Sequence, residues 1–99
     1  MDKNIIINIV KQYAELVKQN IPVSKILLYG SYARGNERTD SDIDVAVIVD
    51  RSPADFLETE TLLFKLRRQI DTRIEPVLIE KDYDKSGFLD NILEYGIVI

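Results

Sequence analysis

Residues 23–49 read VSKILLYGSYARGNERTDSDIDVAVIV, and most of the fold prediction follows from this stretch. Its first part, Val23–Tyr29, is predicted as a largely buried strand that ends at Gly30. The polar residues 31–41 predict a loop with room for one short helical turn. Asp42–Val49 alternates polar and apolar residues at its start and is wholly apolar later, which predicts a central strand covered on both faces.

Three helices are predicted outside this stretch, from apolar residues that recur every three or four positions. Pro22 ends the first helix. Ser52 as N-cap and Pro53 at the first helical position begin the second. We expect the apolar side chains between Phe56 and Ile70 in this second helix to belong to the core. The predicted helices span Asn4–Asn20, residues 52–70 and Asp84–Glu94.

A third strand, Thr72–Glu80, completes the predicted sheet. Pro76 places this strand at an edge or at a bulge, because proline cannot donate to the hydrogen-bond ladder. A helix joins strands two and three, so they should be parallel, whereas the loop between strands one and two favours an antiparallel pair. The predicted fold class is α/β (α+β): a small mixed three-stranded sheet with flanking helices, in the order α-β-β-α-β-α, followed by a β-like tail at residues 97–99.

The composition narrows the classes of function. With 99 residues the chain is predicted to be one domain, residues 1–99, so a large substrate would have to be held partly by a partner chain. The absence of Cys and His excludes disulfides, thiolate nucleophiles, imidazole bases and the usual zinc ligands. A formal charge of −4 disfavours nucleic acid as a partner. No apolar run is long enough to span a membrane, so we expect a soluble, cytoplasmic protein.

Three acidic residues carry the chemistry that the sequence predicts. Side chains alternate along a strand, so Asp42 and Asp44 point the same way, with Cα atoms about 7 Å apart. Glu75 lies near the start of the next strand and reaches the same place if that strand is parallel and adjacent. Clustered carboxylates repel one another unless a cation offsets their charge, and Mg²⁺ prefers oxygen ligands. We therefore expect Asp42, Asp44 and Glu75 to bind Mg²⁺, as a pair of ions suited to phosphoryl chemistry.

A nucleotide site is predicted beside these acids. Gly30 follows the first strand and lets backbone amides approach phosphate oxygens without interference from a Cβ, and Ser31 adds a hydroxyl donor. Arg34 is the expected counter-charge for a triphosphate, with Arg38 and Lys25 as alternatives.

Gly30-Ser31, ten intervening residues and then Asp42-Ile43-Asp44 form a G-S-x₁₀-D-x-D pattern. This pattern resembles that of the minimal nucleotidyltransferases of the DNA polymerase β superfamily, in particular the antitoxin type. The resemblance implies the nucleotidyltransferase fold, catalytic Mg²⁺ on the paired acids and Glu75 as the third acid. It also implies transfer of AMP from ATP to a tyrosine of a small helical HEPN-type toxin.

The role of the third acid has two competing interpretations. The third acid of this family is more often Asp, so Asp71 is a substitute candidate for Glu75. Glu75 could also form a salt bridge with Arg73, which would neutralise its charge without a metal ion.

Structural roles compete with nucleotide binding at three further residues. Arg34 could form an ion pair with Glu37 or Asp40 and leave the triphosphate without this counter-charge. Tyr29 and Tyr32 could stack on a base, but aromatic side chains beside the end of a strand also serve as packing.

Two other functions also stay open. The chain could be a non-catalytic, nucleotide-binding antitoxin that neutralises its partner by occlusion. It could also transfer a nucleotide to a small molecule or a nucleic-acid 3′ end, which the acidic charge and the lack of a substrate domain disfavour.

Overall fold

The computed structural model describes residues 3–35, 41–51, 55–82 and 87–99, and helices and strands alternate along these ranges. The elements are α1 (Lys3–Asn20), β1 (Lys25–Tyr29), α2 (Ser31–Arg34), β2 (Ile43–Val49), α3 (Phe56–Arg67), β3 (Ile74–Glu80), α4 (Phe88–Tyr95) and β4 (Ile97–Val98). Four of them, α1, β1, β2 and β3, begin and end within two residues of the prediction. None of the helices in these ranges has the length and apolar character needed to cross a bilayer.

The strands form one mixed sheet in the order β3-β2-β1-β4. β1 and β2 are antiparallel and β2 and β3 are parallel, which confirms both predicted pairings. β3 lies at the edge that Pro76 predicted, and Pro76 pairs with Val45 without a break in register. An edge strand tolerates proline because one side of its ladder has no neighbour to receive an N–H.

The sheet has four strands and not the predicted three. The tail predicted as β-like pairs antiparallel with β1, with Leu27 opposite Val98 and Leu28 opposite Ile97. The N–H of Ile99 also donates to the carbonyl of Ile26 at 2.8 Å. Without this tail β1 would present a row of unpaired backbone groups, so β4 satisfies an edge that local sequence patterns do not reveal.

The two faces of the sheet are packed differently. Side chains alternate along β2, so Val45 points to one face while Asp44 and Ala46 point to the other. α1 and α3 cover the first face with a continuous apolar core, and we call it the closed face. On the second face, which we call the open face, α4 packs Leu89 and Ile92 against Ala46 and its neighbours. Asp44 on the open face is only half-buried.

The second predicted helix is shorter than expected. α3 begins at Phe56, and its N-cap is Asp55, whose carboxylate accepts a hydrogen bond from the backbone N–H of Glu58 at 2.9 Å. The predicted cap residues, Ser52 and Pro53, lie outside the described residues, as does the predicted start of the last helix at Asp84.

The expectation that all the apolar residues of α3 belong to the core is wrong. Only Leu63 and Leu66 are buried in this helix, whereas Leu57 is 73% exposed and Phe56 and Phe64 are each 37% exposed. These apolar residues are spread around more than half of the helix circumference, so one helix resting on a sheet cannot bury all of them. α3 therefore shows an apolar surface to solvent as well as to the core.

Candidate active site

The three predicted acids lie where β2 and β3 begin. Tyr29, Asp44 and Glu75 occupy one register row across β1, β2 and β3. Side-chain alternation directs this row to the open face. Asp42 is exposed and lies two residues before Asp44, immediately ahead of β2. The fold therefore brings carboxylates from two neighbouring strands to the same end of the open face.

The electrostatics of this row centre on Asp44. Burial raises the pKa of Asp44 above its usual range, and the nearby carboxylates of Asp42 and Glu75 raise it further. Burial likewise raises the pKa of the Tyr29 hydroxyl, with added contributions from Asp44 and Glu75. Asp42 and Glu75 are thus close enough to disfavour the charge of Asp44, and a bound cation would relieve that cost.

The donor set suits Mg²⁺ chemically, because it consists of carboxylate oxygens. However, among the residues that the structure describes, no three acidic, His or Cys side chains are arranged to hold a metal ion. Glu75 is paired with an arginine: its Oε1 atom accepts a hydrogen bond from Nη1 of Arg67 at 3.3 Å. The row holds the right donors, and Glu75 would have to turn from Arg67 to share an ion with Asp44.

Arg67 is the residue near this site that sequence reasoning missed. It ends α3, and its Nη1 atom also donates to the carbonyl of Ile74 at 2.9 Å. Its guanidinium lies over the ring of Phe64, 4.8 Å from the ring centroid. The sequence could have indicated this position for Arg67, because a right-handed crossover returns the end of its helix to the start of the following parallel strand.

The alternative partner proposed for Glu75 is engaged elsewhere. Arg73 forms a salt bridge with Asp71 at 2.7 Å, and Oδ1 of Asp71 accepts hydrogen bonds from the Arg73 backbone N–H and Nε. Hydrogen bonding to Arg73 lowers the pKa of Asp71. Asp71, the substitute for the third acid, is therefore already neutralised by an arginine within its own turn.

Gly30 lies directly against Asp44. Its φ of +74° is in the left-handed region that favours glycine, and a Cβ at this position would overlap Oδ2 of Asp44. Ser31 is half-buried and begins α2, where the N–H of Arg34 donates to the carbonyl of Gly30 at 3.1 Å. The predicted phosphate-binding turn is thus in contact with Asp44, one of the predicted metal ligands.

The basic residues predicted to balance a triphosphate lie in different parts of the molecule. Arg34 packs against α4, where its Nη2 atom donates to Oδ1 of Asn91 at 3.4 Å and its guanidinium lies 5.5 Å from the ring centroid of Tyr95. Lys25 is at the other end of β1, about 13 Å from the acids at strand rise. Arg38, like the alternative partners of Arg34, Glu37 and Asp40, lies outside the described residues.

The two candidate stacking residues differ in accessibility. Tyr32 is 1% exposed and belongs to the core of the closed face, which leaves it a packing role. Tyr29 is half-buried, and its ring meets the ring of Phe88 edge to face, with centroids 5.8 Å apart. Of the two, only Tyr29 borders the candidate site.

Comparison with known proteins gives a family and relatives of similar length. A family model described as polymerase beta, nucleotidyltransferase matches residues 11–99. A proposed protein adenylyltransferase of Methanocaldococcus jannaschii is 35% identical over 91 residues, covering 91% of this chain and 89% of the relative. The protein adenylyltransferase MntA of Thermococcus cleftensis is 30% identical over 94 residues, covering 93% of this chain and 90% of the relative.

Solved structures share the architecture. A proposed nucleotidyltransferase from Sulfolobus solfataricus matches with a TM-score of 0.70 at 18% identity, covering 97% of this chain and 80% of that chain. A toxin–antitoxin crystal structure with AMP-PNP matches with a TM-score of 0.64 at 24% identity, covering 99% of this chain and 72% of that chain. These likenesses confirm the predicted fold.

Proposed function

The chain belongs to the polymerase beta nucleotidyltransferase family, and from this membership we propose that it transfers AMP from ATP to a tyrosine hydroxyl of a HEPN-type toxin and so acts as an antitoxin. The observation that carries the proposal is the packing of Asp44 against Gly30, with Asp42 and Glu75 near enough to raise the pKa of Asp44. Relatives of nearly equal length that are named as protein adenylyltransferases support the reaction. The toxin–antitoxin structure with AMP-PNP supports the nucleotide and the kind of partner.

Asp42, Asp44 and Glu75 would hold two Mg²⁺ ions. Bound Mg²⁺ would supply positive charge that stabilises the phosphate oxygens as the reacting bonds change. The raised pKa of Asp44 fits this role: burial raises it most, and a bound cation would offset the part that the carboxylates of Asp42 and Glu75 add.

The residues of the chain would bind the nucleotide and move one proton. Backbone N–H groups at Gly30 and the hydroxyl of Ser31 hold β- and γ-phosphate oxygens, and Arg34 balances their charge. The tyrosine oxygen attacks the α-phosphorus in line, the bond from that phosphorus to the oxygen bridging the β-phosphate breaks, and pyrophosphate leaves. Glu75 accepts the tyrosine proton, directly or through water, and the product is an AMP–tyrosine phosphodiester.

Radiolabel transfer from α-labelled ATP to the purified HEPN-type partner tests this proposal. Asp42→Asn and Asp44→Asn should each lower the labelling rate by more than about a hundredfold, since residues that merely support metal ligands already contribute about 10–100-fold. Asp50→Asn is a matched control, because Asp50 is an exposed acid at the opposite end of β2. Labelling should be unchanged in this variant.

Failure of the wild-type chain to label the partner with any nucleoside triphosphate would remove the transferase proposal. The second candidate, neutralisation by occlusion, is favoured by one observation: α3 carries exposed apolar side chains, among them Leu57 and Phe64. In that case Asp44→Asn would still neutralise the toxin in cells, which a growth assay measures.

A further inference from the structure

A groove separates α2 from α4 and opens beside Gly30. It encloses about 180 Å³, and we call it the α2–α4 groove. Because Gly30 packs against Asp44, the groove is continuous with the end of the open face that carries the acids. Its lining includes Tyr29, Gly30, Arg34, Phe88, Asn91 and Tyr95.

Aromatic rings form both ends of the α2–α4 groove. At one end Phe88 meets Tyr29 edge to face, and at the other end Tyr95 lies under the guanidinium of Arg34. Phe88 is 41% exposed and Tyr95 is 54% exposed, so neither side chain is buried in the core. Aromatic faces at the edge of a concave site are the surfaces on which planar rings stack.

Asn91 supplies the polar group between these rings. Its Oδ1 atom accepts the hydrogen bond from Arg34, and this contact ties the end of α2 to the middle of α4. An Asn side chain carries both a donor and an acceptor, which is the combination that pairs with the edge of a nucleobase. The α2–α4 groove therefore has planar apolar walls and a few polar groups, as small-molecule sites commonly do.

We propose that the α2–α4 groove binds the nucleobase of the triphosphate, with Phe88 and Tyr95 as stacking residues and Asn91 facing the base edge. This inference rests on the proposed function, since phosphates held beside Gly30 and Ser31 place the rest of the nucleotide within reach of the groove. The nucleobase is the planar aromatic part of that substrate, and the groove that adjoins the phosphate site is lined for such a group.

Calorimetric titration of the full chain with two Mg²⁺ complexes, ATP and inorganic tripolyphosphate, tests the inference. The wild type should bind ATP about tenfold more tightly than tripolyphosphate, because stacking on aromatic side chains contributes at about that level. Phe88→Ala should weaken ATP binding severalfold and leave tripolyphosphate binding unchanged. Tyr95→Ala should weaken ATP binding more than tripolyphosphate binding, because Tyr95 also packs against Arg34, the proposed counter-charge of the phosphates. Leu57→Ala is the control, because it removes an exposed apolar side chain from α3, the helix that covers the closed face, and should alter neither affinity.

The possible results distinguish failure of the groove assignment from failure of the proposed function. Equal affinity of the wild type for ATP and tripolyphosphate would overturn the groove assignment and leave the phosphate site standing. Unchanged ATP affinity in Phe88→Ala and Tyr95→Ala, with partner labelling lost, would also overturn it and assign the groove to the acceptor. If the wild type binds neither ligand, the proposed function fails and this inference fails with it.

Discussion

The closed and open faces of the sheet use alternate residues of the same strand for different purposes. Ile43 is fully buried on the closed face, and the next residue, Asp44, carries a half-buried carboxylate on the open face. The closed face stabilises the fold through apolar burial, at roughly 25 cal/mol per Å². At its acidic end the open face gathers like charges that destabilise the protein, a cost that a bound cation would offset. At the start of β2, strand alternation thus separates a core residue from the candidate metal ligand.

The largest expected effect tests the closed face. Leu63 is 1% exposed in the core under α3, and Leu63→Ala should lower the free energy of unfolding by about 2–5 kcal/mol, because it removes buried methyl groups and leaves a cavity. Leu57→Ala, in the same helix, should change it by less than about 0.5 kcal/mol. Urea denaturation measures both. Equal losses would mean that α3 presents its other side to the core.

The next largest effect is expected at the contact between Gly30 and Asp44. Gly30→Ala places a side chain at a φ of +74° and against Oδ2 of Asp44, so it should cost about 1–3 kcal/mol of stability and weaken Mg²⁺-ATP binding. Gly35→Ala is a close control, because Gly35 has a φ of +77° but an added Cβ there meets no atom within 4 Å. Gly35→Ala should therefore lower the stability through backbone strain and leave the affinity for Mg²⁺-ATP unchanged.

Calorimetry and thermal unfolding of the two glycine variants separate strain from overlap. The difference between Gly30→Ala and Gly35→Ala reports the displacement of Asp44. If both variants bind Mg²⁺-ATP as the wild type does, Gly30 is a turn residue without a role beside the phosphates.

Local patterns predicted much of the open face because strand periodicity is a local property. Alternation put Asp42 and Asp44 on one side, and the crossover rule made β2 and β3 parallel, which is how Glu75 comes to lie beside Asp44. Pro76 indicated the edge position of β3 correctly. Each of these inferences depended only on residues close in sequence or on the right-handed crossover between two parallel strands.

Features that depend on tertiary packing were not predictable in the same way. The exposure of Leu57 and Phe64 depends on the angle at which α3 rests on the sheet, which helical spacing does not specify. The pairing of β4 with β1 depends on which sheet edge is vacant. The bond of Glu75 to Arg67, in place of Arg73, depends on where the last turn of α3 ends.

A smaller effect is expected at Arg67, the arginine that pairs with Glu75. Arg67→Met should raise the affinity for Mg²⁺ by up to about tenfold, because a positive charge beside Glu75 disappears. The same change should cost about 1 kcal/mol of stability, since the hydrogen bond to the carbonyl of Ile74 is lost. Arg73→Met serves as the control, because its partner Asp71 is outside the register row. Mg²⁺ titration of ATP binding measures the affinity, and an unchanged or lower value in Arg67→Met would contradict the competition.

The smallest effect is the pH dependence of stability in metal-free buffer. The pKa of Asp44 is raised in the folded state, so its favourable contribution is present below the unfolded pKa, about pH 4, and is lost as pH rises through the folded pKa. Asp44→Asn should therefore stabilise the protein at pH 7, by less than about 1 kcal/mol for a partly exposed charge, and the gain should vanish near pH 4.

Asp71 should show the opposite sign, which makes it the internal reference for that experiment. Its pKa is lowered by Arg73, so its contribution is present above the unfolded pKa and is lost as pH falls through the folded pKa. Asp71→Asn should destabilise the protein at pH 7, and the loss should shrink in acid. Thermal unfolding in metal-free buffer from about pH 7 down to about pH 2 compares the two variants, because the change for Asp71 lies below its unfolded pKa of about 4. Destabilisation of the metal-free protein by Asp44→Asn at neutral pH would contradict this prediction. It would show that the folded protein stabilises the charged carboxylate of Asp44 without a bound cation.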